Sequence, residues 1–345
     1  MARSTIQPDR WGRMLMRRLE RKLATQEKRT PRILREIDFL LKVDDEARQG
    51  ALRFKKGEQF LTTYSKNHIP PLLSVRKLLN AASHLLQEKD SLEDLQLLLA
   101  PGSSLGGARP KASIKDRDGH LAIAKFPRDD DELDTIRWEA LALTLAAIAG
   151  IEVPEWRLET VGKKVILISR RFDRKEGKRL PFLSAMSALM AKDNETHSYL
   201  EIADVIRQMS GSPGLDLKSL WRRIVFNVLI SNVDDHLRNH AFIYMGSSNW
   251  RLSPAYDLNP TPTDIRPRVL STAIDLIDPT ASIELALEAI PYFNLTLSEA
   301  KKILKEVATA TASWQKVALN LKIKQAEIDR MASAFDHQDL KLALS

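Results

Sequence analysis

Cysteine is absent from all 345 residues. Disulfides and thiolate metal sites are therefore excluded, and the chain suits a reducing compartment such as the cytoplasm. Long apolar runs are missing too. None approaches the roughly 20 residues that a membrane-spanning helix needs, so no membrane partner is expected. The N-terminus has no apolar signal segment and is basic from Arg3 onward. No internal repeat, low-complexity tract or Gly-Lys-Ser/Thr phosphate loop occurs. Net positive charge is scarce beyond the first segment, where basic and acidic residues nearly balance. Residues 1–36 carry eleven Lys or Arg and four Asp or Glu, a net of +7 out of +8 for the chain. A protein that coats nucleic acid along its whole surface is thus excluded. A basic N-terminal face toward a partner or DNA, or simply a solvated helix face, both stay open.

What is present describes a globular protein: 43% hydrophobic and 28% charged residues, with length for two or three packed units. Residues 10–28 alternate apolar and basic at helical spacing, with Trp11, Leu15, Leu19 and Leu23 as one stripe. A second helix is expected over 31–41 and a short strand over 50–54. Two more helices are expected over 70–87 and 91–99, capped at Asp90 or Ser91.

The character changes at 101–111, Pro-Gly-Ser-Ser-Leu-Gly-Gly-Ala-Arg-Pro-Lys. Glycine lets backbone N–H groups converge on a phosphate, although a plain linker has the same composition. Strands are expected at 112–115 and 120–126. The second carries Lys125 near its end, placed like the strand lysine that holds nucleotide phosphates in kinases. A strand-end lysine is also commonly just a solvated charge. The acidic run 129–134 should cap a helix over 135–149, with Glu139 in its apolar middle. Such a Glu can hold a phosphate-binding Lys, or merely face solvent. Strands at 153–160 and 164–172 follow, and Arg171, Phe172 and Asp173 are candidates for an adenine-binding hinge.

From Tyr199 the pattern is helical: 199–210, then 217–230. Then comes the most informative stretch, Asn232-Val-Asp-Asp-His-Leu-Arg-Asn239, followed by a hairpin (241–244 and 250–252) and Ser-Pro-Ala-Tyr-Asp257. Asp234 and Asn239 are five residues apart, as are the proton-accepting Asp and the metal-binding Asn of a kinase catalytic loop. Asp257, beyond the hairpin, supplies the further oxygen ligand that Mg²⁺ requires. Asp and Asn also populate turns and caps for local reasons. The ordered set of helix, loop, hairpin and Asp argues against that alternative. Asp235 lacks the five-residue spacing and is expected to structure the loop. A turn-rich loop spans 260–267. Three or four helices fill 281–341, including 298–309 and 324–335.

These residues carry a resemblance. Ser103–Lys111, Ala122–Pro127, Arg170–Arg174, Phe226–His240 and Leu252–Leu258 together resemble the HipA-type serine/threonine kinases, toxins of bacterial toxin–antitoxin modules. The resemblance runs over essentially the whole chain. It implies an α+β, bilobal, protein-kinase-like fold, with a small mixed N-lobe containing an antiparallel sheet and a mostly helical C-lobe. The expected divisions are 1–100 (remnant of the N-terminal region), 101–180 (N-lobe) and 181–345 (C-lobe). It implies Asp234 as base, Asn239 and Asp257 as Mg²⁺ ligands, Lys125 on the ATP phosphates and His236 near the nucleotide. Ser104, Gly106, Gly107 and Ala108 would belong to a mobile phosphate loop. Ser104, or the adjacent Ser103, would be autophosphorylated, ejecting the loop.

The implied partners are a helix-turn-helix, HipB-like antitoxin, with DNA reached only through it, and a protein substrate such as an aminoacyl-tRNA synthetase. Family members usually carry about 80 or more residues before the Trp11 segment that are not in this sequence; either the gene is truncated or a separate small HipS-like protein supplies them. Two other readings remain: a small-molecule kinase of similar fold, and a silent kinase-like partner of a transcriptional repressor.

Overall fold

The computed structural model describes Pro8 and residues 10–61, 69–102, 107, 109–247 and 249–345. Its contacts divide the chain into two units, 1–132 with 155–182, and 133–154 with 183–345. Among the described residues no helix is long and apolar enough to cross a membrane.

The first unit begins with α1 (Arg10–Gln26) and α2 (Glu36–Leu41). A small hairpin follows, β1 (Lys55–Lys56) and β2 (Gln59–Phe60), then α3 (Val75–Leu86) and α4 (Leu92–Gly102). The stripe on α1 behaves as its periodicity predicts. Trp11, Leu15 and Leu19 are buried and Leu23 is half-buried. The Trp11 indole donates to the Lys111 carbonyl at 3.1 Å. Ser91 is the cap of α4, its hydroxyl accepting from the Asp94 amide at 3.0 Å.

The strand expected at 50–54 does not form. Gly50 takes a left-handed φ of +73° and gives its amide to the Asp173 carboxylate at 2.8 Å, so that donor is unavailable to a ladder. The hairpin lies just beyond instead, with Gly57 at its turn.

An antiparallel sheet completes this unit, in the order β3 (Lys111–Lys115), β4 (Leu121–Lys125), β6 (Lys164–Arg170), β5 (Trp156–Val161). A two-stranded ribbon follows, β7 (Arg174–Lys175) with β8 (Lys178–Arg179). Alternate residues Ala112 and Ile114, Ala122 and Ala124, and Ile166 and Ile168 enter the same core as Trp11, Leu78 and Leu98. Buried residues between Trp11 and Leu99 thus share one hydrophobic core with the sheet.

The second unit opens with α5 (Thr135–Ile148), capped by the Asp134 side chain, which accepts from the Arg137 amide. A further sheet orders β12 (Trp250–Leu252), β11 (Ala241–Tyr244) and β9 (Phe182–Ser184). α6 (Ala185–Ala188), β10 (His197–Ser198), α7 (Tyr199–Met209) and α8 (Pro213–Leu229) lead to the stretch singled out above. β13 (Thr272–Ala273) pairs in parallel with β10.

The C-terminal portion holds α9 (Ile283–Glu288), α10 (Leu297–Ala312), α11 (Trp314–Asn320), α12 (Gln325–Phe335) and α13 (Gln338–Leu344). That is more than the three or four helices periodicity suggested, because the pattern does not resolve breaks between short adjoining helices. Trp314 and Phe335 stack at 4.6 Å, and Trp138 of α5 tilts against both. Glu327 of α12 accepts from the Asp134 amide at 2.9 Å. The first helix of this unit is thereby joined to the last ones.

Candidate active site

α8 is an amphipathic helix whose apolar face, with Leu220, Trp221, Ile224 and Phe226, is fully buried. The helix ends at Leu229, and Ser231 just beyond it adopts φ +50° and donates its hydroxyl to the Ala334 carbonyl at 2.8 Å. The chain turns there, and the Asn232 side chain closes back on Asn227 at 3.0 Å.

The two aspartates that follow diverge. Asp235 is buried and receives the Tyr199 hydroxyl (2.5 Å) and the Asn227 amide (2.8 Å), with His240 Nε2 at 2.6 Å. The Thr272 hydroxyl holds its carbonyl at 2.7 Å. Burial by itself pushes the Asp235 carboxyl up, but His240 and Tyr199 hold it below the ordinary value. The same burial and the same carboxylate push the Tyr199 phenol well above its own. Asp234 points outward instead, and Arg266 Nη1 lies 2.9 Å from its Oδ1.

The Asn239 side-chain amide donates to the Asp234 carbonyl at 3.5 Å, while its backbone closes a 3₁₀ turn onto the His236 carbonyl at 2.8 Å. That use of the amide nitrogen leaves the Asn239 side-chain oxygen as an acceptor. His236 Nδ1 is buried and has no hydrogen-bond partner among the described residues.

The hairpin is fastened from below. Asp216, buried in the first turn of α8, accepts from Arg251 Nε (3.0 Å) and Nη2 (2.9 Å), the Leu252 amide (3.1 Å) and Ser210 (2.6 Å). Arg223 is buried beside it and donates to the Ser253 carbonyl; burial lowers its guanidinium to about 10. Beyond the hairpin the Tyr256 hydroxyl reaches the Arg238 carbonyl at 2.7 Å, and the Asn259 amide reaches Asn232 Oδ1 at 3.3 Å. Two hydrogen bonds therefore tie the Asp257 segment to the loop that carries Asp234, His236 and Asn239. Asp257 itself takes φ +60°, a left-handed conformation that Asp tolerates better than most residues. No group of three or more His, Asp or Glu side chains that could hold a metal occurs among the described residues. Asn239 and Asp257 offer two hard oxygen donors, which fits a cation that keeps waters and phosphates as its other ligands.

The remaining expected residues belong to other elements. Lys125 ends β4, half-buried, paired across the sheet with Lys111 and Leu167. Glu139 is buried in α5. Gly107 has φ +82°, and a Cβ there would meet Lys111 Nζ at 2.8 Å. Its carbonyl accepts from the Trp11 amide at 3.2 Å. Ser103, Ser104, Gly106 and Ala108 lie outside the described residues.

Arg171 and Asp173 are buried and joined to each other at 2.7 Å, and they hold the loop at 47–50. Burial raises the Asp173 carboxyl, but Arg171 and Arg174 outweigh it and bring it to about 2. The Arg171 amide and the Asp173 carbonyl are both engaged, with Leu121 and Leu180. These side chains therefore build the frame around Phe172. Sequence reasoning missed Tyr199, Asp216, Asn227 and Arg266. Of these only Asn227 left a signal, as a polar residue inside an apolar helix face.

Residues 103–315 match the family described as the HipA-like C-terminal domain. The chain belongs to that family. A Haemophilus influenzae protein named "Putative kinase" is 28% identical over 178 residues, covering 45% of this chain and 52% of the relative. The Sinorhizobium fredii "Putative kinase Y4mE" is 24% identical over 181 residues, covering 45% of this chain and 41% of the relative. The chain thus spans about half the length of the curated relatives it matches. In fold, this HipA-like chain resembles a chain of the Shewanella oneidensis MR-1 toxin–antitoxin complex of HipA, HipB and operator DNA. The TM-score is 0.62 at 18% identity, over 86% of this chain and 74% of that one. It also resembles the Helicobacter pylori proinflammatory kinase CtkA, with a TM-score of 0.54 at 14% identity, over 70% and 92%. The α+β, HipA-like fold expected from the motifs is the fold observed.

Proposed function

We propose that this chain is an Mg²⁺/ATP-dependent protein serine/threonine kinase that serves as the toxin of a HipA-like toxin–antitoxin pair. The supporting observation is the division of labour between Asp234 and Asp235. One carboxylate is held outward on a loop whose shape the other, buried, maintains. Such a loop can present a base without adjusting its backbone at the moment of reaction.

In this reading an acceptor hydroxyl binds Asp234 and attacks the γ-phosphorus of ATP. Asp234 takes the hydroxyl proton as the bond to the β-phosphate oxygen breaks and ADP leaves with the electron pair. Asn239 and Asp257 would hold the Mg²⁺ ion, whose chemistry is to neutralise the phosphates. Lys125 binds the phosphates as well. The unpartnered ring nitrogen of His236 offers the nucleotide a hydrogen bond. Ser104 or Ser103 is the site of autophosphorylation. A HipB-like protein is the expected antitoxin, in keeping with the complex of the structural relative. The acceptor is a hydroxyl on a cellular protein.

Incubation of the full chain with Mg²⁺ and γ-labelled ATP tests the reading. Label should appear on the chain or on an added protein extract, and Asp234→Asn should abolish it. Undiminished transfer by that variant would remove the assignment.

A further inference from the structure

We propose that Arg266 is a catalytic residue of this site, a cation stored on the base and passed to the phosphoryl group as it transfers. The inference rests on the kinase reading above and adds a residue to it.

Arg266 Nη1 lies 2.9 Å from Asp234 Oδ1. Its backbone is not a loose tether. The Ile265 and Arg266 amides both close onto the Pro262 carbonyl, at 3.0 and 3.2 Å. The turn is pinned from two sides: the Thr261 amide bonds the Ser231 carbonyl (3.1 Å), and the Thr263 amide bonds the Ser333 hydroxyl (3.1 Å). Arg330 holds Asp264 at 2.9 Å. A fixed turn therefore presents a flexible guanidinium to a fixed carboxylate.

Other arginines around this loop have partners with no part in the proposed chemistry. Arg238 pairs with Asp193, Arg268 with Asp339 and Arg330 with Asp264. Arg266 differs in that its acid is the proposed base. Its side chain is 53% exposed and that of Asp234 58%, so their pair adds little stability and exchanges easily.

Geometry and charge then point the same way. An acceptor hydroxyl must lie within about 3 Å of the Asp234 carboxylate to give up its proton. The γ-phosphorus lies about 3–3.5 Å beyond that oxygen. The guanidinium is thus one side-chain rotation from the phosphoryl oxygens. When Asp234 takes the proton it loses its negative charge and releases Arg266. In the same step the acceptor O–P bond forms, the bond to the β-phosphate oxygen breaks, and the electron pair leaves on ADP. A cation whose partner changes from carboxylate to phosphoryl along this path stabilises the transition state more than the ground state, which is the condition for catalysis.

The test uses the full chain, Mg²⁺, γ-labelled ATP and a degenerate serine/threonine peptide library. Arg266→Ala should lower kcat by about a hundredfold with the KM for ATP and the thermal midpoint nearly unchanged. Added guanidinium should restore part of the rate to Arg266→Ala and none to Asp234→Asn. A faster Arg266→Ala enzyme would mean that the pair merely blocks the base. Loss of kcat together with thermal stability would mean a structural tether. An unchanged rate, or a slower one that guanidinium does not rescue, would also overturn the proposal. In each of these cases Asp234→Asn would still be dead and the kinase reading would stand. If the unsubstituted chain labels neither itself nor any peptide, the kinase reading falls and the role of Arg266 with it.

Discussion

Asp234 and Asp235 are neighbours in sequence and opposites in environment. The first side chain is 58% exposed and touches Arg266, whereas the second is 3% exposed and touches Tyr199, Asn227 and His240. Substituting them should therefore separate chemistry from folding. Asp234→Asn is expected to abolish transfer while leaving the urea midpoint near that of the unsubstituted chain. Asp235→Ala leaves a buried histidine, phenol and amide without their shared acceptor. It is expected to destabilise the protein by about 3–5 kcal/mol, measured by urea denaturation.

Asp216 joins α8 to the hairpin that precedes Asp257. Asp216→Ala leaves the Leu252 amide and the Arg251 guanidinium without their acceptor. A loss of about 3 kcal/mol or more is expected. Activity should fall more than global stability explains, because Asp257 loses its support. Hydrogen exchange at 250–257 would check this, with faster exchange expected there than in α10.

Asp257 and Asn239 form the proposed Mg²⁺ pair. Asp257→Asn keeps a residue that tolerates φ +60° but removes the charge. ATP binding measured by calorimetry should then lose its Mg²⁺ dependence while the fold persists. Mg²⁺-dependent binding of undiminished affinity would remove Asp257 from the metal site.

Acid sensitivity should reside partly in Asp173. Its folded value of about 2 lies below the unfolded carboxylate value of about 3.9. Its contribution, on the order of 2 kcal/mol, is therefore complete above about pH 4 and disappears as pH falls toward 2. Asp173→Asn should be less stable at neutral pH, and the gap from the unsubstituted chain should narrow below about pH 4. Denaturation midpoints at several pH values would show it. A constant gap would place the acid sensitivity elsewhere.

Local pattern by itself determined a great deal here. The stripe Trp11, Leu15 and Leu19 set α1, the Asp134 cap set the start of α5, and alternation with a turn set the hairpin 241–252, because neighbouring side chains alone fix those periods. The five-residue spacing from Asp234 to Asn239 and the position of Asp257 beyond a hairpin were equally legible, and they carried the family resemblance.

Tertiary structure decided the rest. Gly50 reads as the start of a strand until its amide meets Asp173, 123 residues away. Arg171 and Asp173 are hinge candidates by their place after β6, and burial makes their side chains an ion pair holding that same loop. The apolar positions between Trp11 and Leu99 give no sign of their partner in the sequence, yet they fill one core with the sheet. Arg266 carries no motif at all. Its meaning comes from a turn, pinned by Ser231 and Ser333, that sets its guanidinium against Asp234 across 32 residues of sequence. Backbone preference is local and can be read along the chain. Desolvation and ion pairing depend on which distant groups share a space, and only the folded chain brings those groups together.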